Sequence, residues 1–407
     1  MSDVPRNSSA MKNLIFLCHR IPFPPNKGDK IRSFHILREL AQHYSIALGT
    51  FIDDPQDEQY VDELRKYCSE VCTIRLDPTQ QRLLSLRGFV TGEALSVEFY
   101  RHAALRRWLG TVVERTPPAC ALVFSSTMAQ YLDVLPVGTP TVVDYVDVDS
   151  EKWRAYAAAK PWPLKAVYTR EWRKLAAFES AYAARDLKCV FVSSAEAALF
   201  RTLQPAPRDN IYAINNGVDL EYFTPTLAGV DPYLGHGPVI VFTGAMDYWA
   251  NVDAVSWFAD EVLPAIRSAR ADVEFWIVGS KPTEAVKALS ARAGVTVTGR
   301  VEDIRPYLAY AQFAVAPMRI ARGVQNKVIE ALAMGKIVVG TSDAFEGLAL
   351  PPVYQAGVAN DAPSFVARCL AQLQAPDNAE LRTAGLAYVA AHHDWAPNVA
   401  RLRELLG

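Results

Sequence analysis

Short apolar segments alternate with longer amphipathic segments along nearly the whole chain, and this alternation constrains the fold more than any other feature. The strand-like segments of the first half span residues 14–18, 46–51, 71–76, 121–124, 141–145, 189–192 and 211–214. Several are apolar at consecutive positions, which is typical of strands with both faces buried. Such strands form parallel sheets with helices on both sides, so the sequence predicts an α/β architecture.

A stretch rich in glycine and proline, residues 227–238, interrupts the alternation and is typical of an interdomain linker. Beyond it, strand-like segments resume at 239–243, 273–278, 295–298, 313–316 and 337–340. Helical periodicity is clearest at 30–43, 56–67, 152–188, 253–268 and 325–334. We therefore predict two Rossmann-like, doubly wound parallel-sheet domains, at 1–226 and 239–390, that face a cleft. A helix within 391–407 is expected to pack back on the first domain.

The composition narrows the possible functions. Among 407 residues the chain carries 42 Lys and Arg against 44 Asp and Glu, which gives no electrostatic reason to expect a nucleic-acid partner. No apolar run approaches the roughly 18 residues of a membrane-spanning helix, and residues 1–10 lack the apolar core of a signal peptide. The six cysteines lack metal-ligand spacing and fit buried, reduced thiols, so we expect a cytoplasmic protein.

The loop after the first predicted strand is a candidate ligand site, because ligands bind at the carboxyl ends of parallel strands. This loop contains prolines and then Gly28, Asp29 and Lys30 at the start of a helix. Gly28 permits close backbone approach, and a helix N-terminus presents free N–H groups to a phosphate or an acceptor hydroxyl. A plain strand–helix connection explains the same residues equally well. The loop lacks both the P-loop and the dinucleotide-binding glycine patterns.

Four carboxylates lie within residues 144–151, after the fifth predicted strand. Their mutual repulsion is unusual for a purely structural loop. We select Asp144 and Asp147 as candidate catalytic residues that would face an acceptor hydroxyl or the donor sugar. Asp149 and Ser150 are instead expected to cap the following helix.

The helical stretch 152–188 has an excess of basic residues with aromatic residues between them. This pattern would suit a peripheral contact with anionic lipids at the inner face of a membrane. A solvated helix with its aromatic side chains turned to the core accounts for the same pattern. Residues 82–108 also mix basic and apolar side chains, without a clear helical register.

Residues 215–225 read Asn-Asn-Gly-Val-Asp-Leu-Glu-Tyr-Phe-Thr-Pro and resemble the Pro-Asn-Gly-Val-Asp…Phe-x-Pro signature of retaining glycosyltransferase family 4, with Asn215 in place of proline. The second half resembles the same family in the same order, at 242–246, 275–279, 297–301 and 323–335. The motifs at 246–251 and 325–330 look most like the sugar transferases of exosortase-linked exopolysaccharide clusters.

The resemblance implies a GT-B fold and transfer of a sugar, with retention, from a nucleotide-sugar donor to a saccharide or lipid-linked saccharide. No further cofactor is implied. No Asp-x-Asp motif occurs in the donor half, so we expect no metal ion. A nucleotide-sugar epimerase on the same scaffold and a non-catalytic nucleotide-sugar or glycan-binding protein are the alternatives.

The donor site implied by the resemblance centres on Lys327, at the start of a helix whose dipole favours anions. Glu330 lies one turn further on the same face and could accept hydrogen bonds from both ribose hydroxyls. Lys327 is the candidate catalytic cation for the leaving diphosphate. The other predicted donor-binding residues are Gly244, Asn251, Arg300, Val301, Arg322, Gly323 and Asn326.

Two departures from the family pattern bear on the donor. Arg322 stands where family members often carry a glutamate that contacts the sugar hydroxyls. The loop 246–251 also lacks the cation that many members use for the diphosphate. We therefore expect Lys327, with Arg322 or Arg300, to bind the diphosphate, while the identity of the donor sugar stays open.

Overall fold

The computed structural model describes residues 11–25, 28–226, 229–320, 324–375 and 378–407. The chain forms two compact units, Met1–Asn215 with Trp395–Gly407, and Asn216–Asp394. It therefore leaves the first unit before the glycine- and proline-rich stretch 227–238. The reason lies in the backbone of Val218, whose N–H donates to the carbonyl of His393 (2.7 Å) within the second unit.

The first unit is built on a parallel sheet of seven strands: β1 (Lys12–Cys18), β2 (Tyr44–Ile52), β3 (Glu70–Arg75), β4 (Cys120–Phe124), β5 (Thr141–Val146), β6 (Lys188–Phe191) and β7 (Ile211–Ala213). Their order is β3-β2-β1-β4-β5-β6-β7. The chain turns in opposite directions from β1 and β4, so the loops after these two strands separate and leave a crevice at the carboxyl edge.

Helices connect these strands: α1 (Gly28–Leu40), α2 (Val61–Leu64), α3 (Pro78–Ser85), α4 (Gly88–Thr91), α5 (Leu95–Phe99), α6 (Ala103–Arg115), α7 (Asp149–Ala159), α8 (Leu164–Ala183) and α9 (Ser194–Thr202). Two 3₁₀ segments, Pro55–Tyr60 and Ser126–Val134, complete the connections. Helix 56–67 of the sequence prediction is thus a 3₁₀ segment followed by one short helix. The Asp54 side chain, which accepts from the Gln56 N–H, starts that segment.

The second unit carries five parallel strands: β8 (Val239–Thr243), β9 (Glu274–Val278), β10 (Val295–Gly299), β11 (Phe313–Ala316) and β12 (Val338–Gly340). Their order is β10-β9-β8-β11-β12, with the switch in direction between β8 and β11. The helices are α10 (Trp249–Trp257), α11 (Leu263–Ala269), α12 (Glu284–Ala288), α13 (Arg305–Tyr310), α14 (Asn326–Ala333), α15 (Ala362–Gln374) and α16 (Ala379–His392). Shorter 3₁₀ segments lie at Leu289–Ala291, Asp343–Phe345 and Pro352–Gly357.

The helix predicted at 253–268 is divided into α10 and α11 by a π-helical turn, Phe258–Val262. Pro264 explains the division, because proline cannot donate to the helix ladder and its ring displaces the carbonyl four residues earlier. Pro264 lies in the first turn of α11, where a missing N–H has no cost.

The last helix, α17 (Trp395–Leu406), belongs to the first unit and packs there against α1. Trp395 is buried and stacks on His35, with ring centroids 4.9 Å apart. Leu402 and Leu406 are fully buried in the same core, which covers one face of the sheet. Within the described ranges, every helix is too short or too polar to span a bilayer.

Candidate functional site

Three of the predicted site residues, Gly244, Asn251 and Lys327, meet at the switch point of the second unit, beyond the carboxyl ends of β8 and β11. Gly244 follows β8 directly, and a Cβ atom there would lie 2.8 Å from Asn251 Nδ2 and 3.5 Å from Lys327 Cε. Gly279 follows β9, and a Cβ atom there would lie 1.7 Å from the carbonyl oxygen of Gly244. The two glycines therefore let the loop after β8 approach the N-terminal turn of α14.

Lys327 is anchored by neutral oxygen atoms. Its Nζ donates to Asn251 Oδ1 (2.8 Å) and to Gln325 Oε1 (3.4 Å). It also lies 5.1 Å from the centroid of the Phe242 ring, a cation–π distance. Among the described residues no carboxylate forms an ion pair with this ammonium group. The charge of Glu330 acts on this ammonium group without a direct ion pair, so the ammonium group is available to an anionic ligand.

Asn251 is the residue that fixes the position of Lys327. Its Oδ1 accepts from the ammonium group, while its Nδ2 donates to the carbonyl of Ala245 (2.8 Å). Asn251 is 4% exposed, so both hydrogen bonds are shielded from water. The amide thus connects the lysine on α14 to the loop after β8, which is a positioning role that the sequence alone does not distinguish from direct ligand contact.

Glu330 lies one turn after Lys327 on α14 and is half-buried. Burial raises the pKa of Glu330 to about 7, although the charge of Lys327 acts in the opposite direction. Burial lowers the pKa of Lys327 to about 8, and the charge of Glu330 partly offsets this. No hydrogen bond to the Glu330 carboxylate is formed within the described ranges. Hydroxyl donors from a ligand would therefore stabilise its ionised form.

Asn326 connects the helix to the signature segment at 215–225. Its Oδ1 accepts from Asn216 Nδ2 (3.3 Å), and the carbonyl of Asn216 accepts from His393 Nδ1 (2.7 Å). His393 is fully buried. Asp219 then stabilises the following turn, because its Oδ1 accepts from the N–H groups of Glu221 and Tyr222. The signature segment therefore holds the N-terminal turn of α14 in place.

The remaining predicted donor residues are more distant or undescribed. Arg300 and Val301 follow β10, which is separated from β8 by β9. Two strand spacings correspond to roughly 10 Å. Arg300 is exposed at the same edge of the sheet, and Val301 is half-buried against the core. Arg322 and Gly323 lie outside the described residues.

In the first unit, the predicted ligand loop is arranged differently from the sequence expectation. Gly28 begins α1 and is exposed, but the Lys30 side chain is 2% exposed and forms an ion pair with Asp57 (Nζ–Oδ2 2.6 Å). The prediction that Lys30 binds a phosphate is therefore wrong, because the residue lies on the buried face of α1. Asp29 instead pairs with Arg20 (2.5 Å) and with His19 (3.4 Å).

His19 and Arg20 are polar residues that the sequence analysis missed, although both follow β1 directly. Arg20 also pairs with Asp53, which follows β2 (2.8 Å). Burial alone would lower the pKa of His19, but its hydrogen bond to Asp29 helps to raise it to about 9. The pKa of Asp29 is lowered well below its usual range, because His19 and Arg20 outweigh the effect of burial. Their position at the end of a central strand was the available signal.

Asp144 lies inside the first unit rather than at its surface. It is fully buried on β5, where its Oδ2 accepts from Arg32 Nε (2.8 Å) and its Oδ1 accepts from the Val146 N–H (3.0 Å). Burial raises the pKa of Asp144, and the Arg32 guanidinium opposes that shift. A carboxylate without exposed surface cannot contact a substrate. This burial argues against the predicted catalytic role and gives Asp144 the role of attaching α1 to the sheet.

Asp147 is half-buried and pairs with Lys152 (2.8 Å), which also contacts Asp149 (2.9 Å). Helix α7 begins at Asp149, its N-cap residue is Val148, and no side chain caps it. The prediction that Asp149 and Ser150 cap this helix is therefore wrong. The described side chains include no group of three or more His, Cys, Asp and Glu residues that could bind a metal ion.

Comparison with known proteins gives a family match to part of the chain. Residues 237–375 match the family model described as Glycosyl transferases group 1. Comparison with curated proteins finds no match. The matched segment contains β8 to β12 and α14, so it includes Gly244, Asn251, Lys327 and Glu330.

Solved structures are similar to the chain over nearly its whole length. Sucrose-phosphate synthase from Thermosynechococcus elongatus has a TM-score of 0.71 and 16% identity, covering 97% of this chain and 98% of that one. HepE of Anabaena in complex with UDP-glucose has a TM-score of 0.66 and 14% identity, covering 97% and 99%. WaaG, a glycosyltransferase involved in lipopolysaccharide biosynthesis, has a TM-score of 0.65 and 15% identity, covering 97% and 99%.

At such low identities these similarities establish only the fold. They confirm the fold class predicted from the alternating segments. The segment that matches the family model contains the predicted donor residues. The chain has the GT-B fold, and its residues 237–375 match the family model described as Glycosyl transferases group 1.

Proposed function

We propose that this protein transfers a sugar from a nucleotide-sugar donor to a saccharide or lipid-linked saccharide acceptor, with retention and without a metal ion. The observation that carries the proposal is the Lys327–Glu330 pair on α14, with the lysine held by Asn251 at 2.8 Å. The pair lies at the switch point of a parallel sheet, which is the expected ligand position in this class of fold.

Lys327 would stabilise the diphosphate leaving group. Its ammonium contacts the neutral oxygens of Asn251 and Gln325, the Met318 sulfur and the Phe242 ring, so diphosphate oxygens would provide a negatively charged partner. Charge stabilisation of this kind typically changes rates by about 10²- to 10³-fold when one donor is removed. The N-terminal turn of α14 adds the favourable end of a helix dipole.

Glu330 would recognise the ribose of the nucleotide. Two adjacent hydroxyls can donate to the two oxygens of one carboxylate, and no described hydrogen bond occupies that carboxylate. Arg300 and Val301, at the same sheet edge, would lie towards the base and diphosphate. The complex of HepE with UDP-glucose makes UDP-sugars the first donors to test.

The proposed chemistry needs no protein nucleophile. The acceptor hydroxyl would attack the anomeric carbon on the face from which the diphosphate departs, so the configuration is retained. The carbon–oxygen bond to the diphosphate breaks, a bond to the acceptor oxygen forms, and a departing phosphate oxygen takes the proton. On the first unit, the edge containing His19, Asp29 and Asp147 would supply polar contacts to the acceptor.

The resemblance of the motifs at 246–251 and 325–330 to exosortase-linked sugar transferases supports a place in exopolysaccharide biosynthesis in the cytoplasm. The structural similarity to WaaG is consistent with a saccharide acceptor in general. Arg322 stands where a glutamate is common in this family, and this reversal of charge would change which donor sugar is bound.

Titration calorimetry against UDP-, GDP-, ADP- and TDP-sugars tests the donor site directly. Lys327→Ala should lose most activity, and Glu330→Ala should raise the donor KM. Lys287→Ala is the matched control, because Lys287 forms an exposed Lys–Glu pair with Glu284 at the same i, i+3 spacing on α12 (2.8 Å). If both site variants bind and turn over donor like the control, the assignment of α14 is wrong.

Two further measurements test retention of configuration and independence from metal ions. Nuclear magnetic resonance of the product gives the anomeric configuration, and activity after treatment with a chelator tests independence from metal ions. Incubation of donor without acceptor distinguishes the alternatives: an epimerase would convert the donor, whereas a transferase would hydrolyse it only slowly. Tight binding without turnover for any acceptor would indicate a binding protein.

A further inference from the structure

Helices α3 and α4 expose their apolar side chains and bury their small and polar ones. The exposed residues are Leu83 (66%), Leu84 (46%), Leu86 (49%), Phe89 (46%) and Val90 (91%), here named the 83–90 surface. The buried positions of the same segment are Gln81, Ser85 and Gly88. A helix that packs on a globular core shows the opposite arrangement. An exposed apolar patch of this kind is typical of a surface that contacts another molecule or a membrane.

The outward orientation of the 83–90 surface is fixed by specific contacts. Asp77 caps α3 by accepting from the Thr79 and Gln80 N–H groups, and α3 packs on α5. The guanidinium group of Arg170 on α8 donates to the carbonyls of Gly88 and Glu93. It also lies 4.8 Å from the centroid of the Phe89 ring.

Gly88 shows why the inner side of this segment cannot hold a large residue. A Cβ atom at Gly88 would lie 3.0 Å from the carbonyl oxygen of Glu93 and 3.0 Å from Leu95 Cδ2. The close approach of α4 to the chain before α5 therefore leaves no space for an inward apolar side chain. The large apolar residues of the segment are instead on its exposed side.

The charged residues of the segment Pro78–Gly92, which carries the 83–90 surface, are all basic. Arg82, directly before the 83–90 surface, and Arg87 within it are exposed, and the acidic residues Asp77 and Glu93 flank the segment. Lys174 of α8 is also exposed and reaches to within 3.7 Å of the position that a Cβ of Gly92 would take. The whole chain has a net charge of −2, so this basic patch is a local feature.

A second exposed apolar site of the same type lies in the same unit. Trp162 is 81% exposed and Leu164 46% exposed, between the exposed Lys160 and Lys165. Leu164 begins α8 and lies about 9 Å along the helix axis from Arg170, the residue that contacts Phe89. Tryptophan beside lysine is typical of residues at a membrane–water interface.

We propose that the 83–90 surface docks on the anionic face of a lipid bilayer. Its leucines, Phe89 and Val90 enter the boundary between headgroups and acyl chains, and Arg82 and Arg87 contact lipid phosphates. Apolar residues combined with charges of one sign favour this occupant. A symmetric dimer through the same surface would bring the arginines of both copies together, which is unfavourable.

Vesicle co-sedimentation of the full chain tests the proposal. The wild type should sediment with phosphatidylcholine vesicles that contain phosphatidylglycerol, and not with phosphatidylcholine alone. Leu83→Asp/Val90→Asp should abolish this binding, and Arg82→Gln/Arg87→Gln should weaken it by about fivefold per arginine, with a smaller salt dependence. Val137→Asp is the control, because Val137 is a fully exposed apolar residue in a turn outside the 83–90 surface and should leave binding unchanged.

Thermal melting and donor calorimetry on each variant show that the fold and the α14 site are intact, which separates this proposal from the proposed function. The proposal is overturned if the wild type does not bind anionic vesicles, or if Leu83→Asp/Val90→Asp binds them as well as the wild type. It is also overturned if light scattering shows that this variant converts a dimer to a monomer, since a second copy would then cover the surface.

Discussion

Replacing Lys327 with arginine should change how donor binding depends on pH. Burial lowers the pKa of Lys327 to about 8, so the ammonium loses its proton on mild alkalinisation. The lysine binds a diphosphate only when charged, and affinity is therefore present below about pH 8 and lost above it. Each further pH unit should weaken binding about tenfold, which gives roughly 30-fold at about pH 9.5.

Glu330 should produce the acid limb of the pH profile, on which donor affinity falls as the pH decreases. Lys327 produces the alkaline limb. Burial raises the pKa of Glu330 to about 7, and its ionised form accepts the ribose hydroxyls. Affinity should therefore rise as the pH increases through about 7, and the wild type should bind donor best between about pH 7 and 8. An arginine at position 327 stays charged throughout this range, so the variant should keep the acid limb and lose the alkaline one.

Titration calorimetry of both proteins across the pH range measures these limbs. Any ionisation of the nucleotide affects both proteins equally, so the difference between their profiles isolates Lys327. Glu330→Gln should remove the acid limb alone. An unchanged wild-type affinity between about pH 8 and 10, or an alkaline limb that survives in Lys327→Arg, would refute the assignment of the titrating group.

Three substitutions test individual contacts, two in the second unit and one in the first. Asn251→Leu should weaken donor binding, because Lys327 loses its 2.8 Å anchor; calorimetry that finds wild-type affinity would contradict this role. Gly279→Ala should destabilise the second unit by more than about 3 kcal/mol in urea unfolding, since its Cβ would lie 1.7 Å from the Gly244 oxygen. Asp144→Leu should cost about 3–5 kcal/mol by leaving the Arg32 charge buried without its partner, and a melting temperature equal to that of the wild type would disprove the pairing.

The sequence was sufficient for the sheets, because strand identity depends on local apolar runs. Strands β8 and β11 have the predicted bounds, and the Lys-x-x-Glu spacing correctly places Lys327 and Glu330 on one helix. The division of the helix at 253–268 was also within reach, since Pro264 carries the signal. Local patterns of this kind require no knowledge of distant parts of the chain.

Pairings between distant residues could not be read in the same way. Asp144 finds Arg32 from a strand three connections away, and Lys30 finds Asp57 across the loop after β2. Neither partner is marked by its spacing in the sequence. The acidic residues after β5 and the loop at Gly28–Lys30 were therefore interpreted as catalytic or ligand-binding. The polar contact between Asn251 and Lys327 is equally invisible in the sequence, because it depends on the close approach that Gly244 permits.

The path of the chain through the first unit has a consequence for its synthesis. Most of that unit is complete by Asn215, yet the helix Trp395–Leu406 supplies part of the buried core on one face of its sheet. His35, Leu37 and their neighbours therefore stay partly exposed to solvent while the intervening segment is translated. Chaperones would meet this unfinished surface on nascent chains, and premature termination anywhere after Asn215 would leave it permanently open.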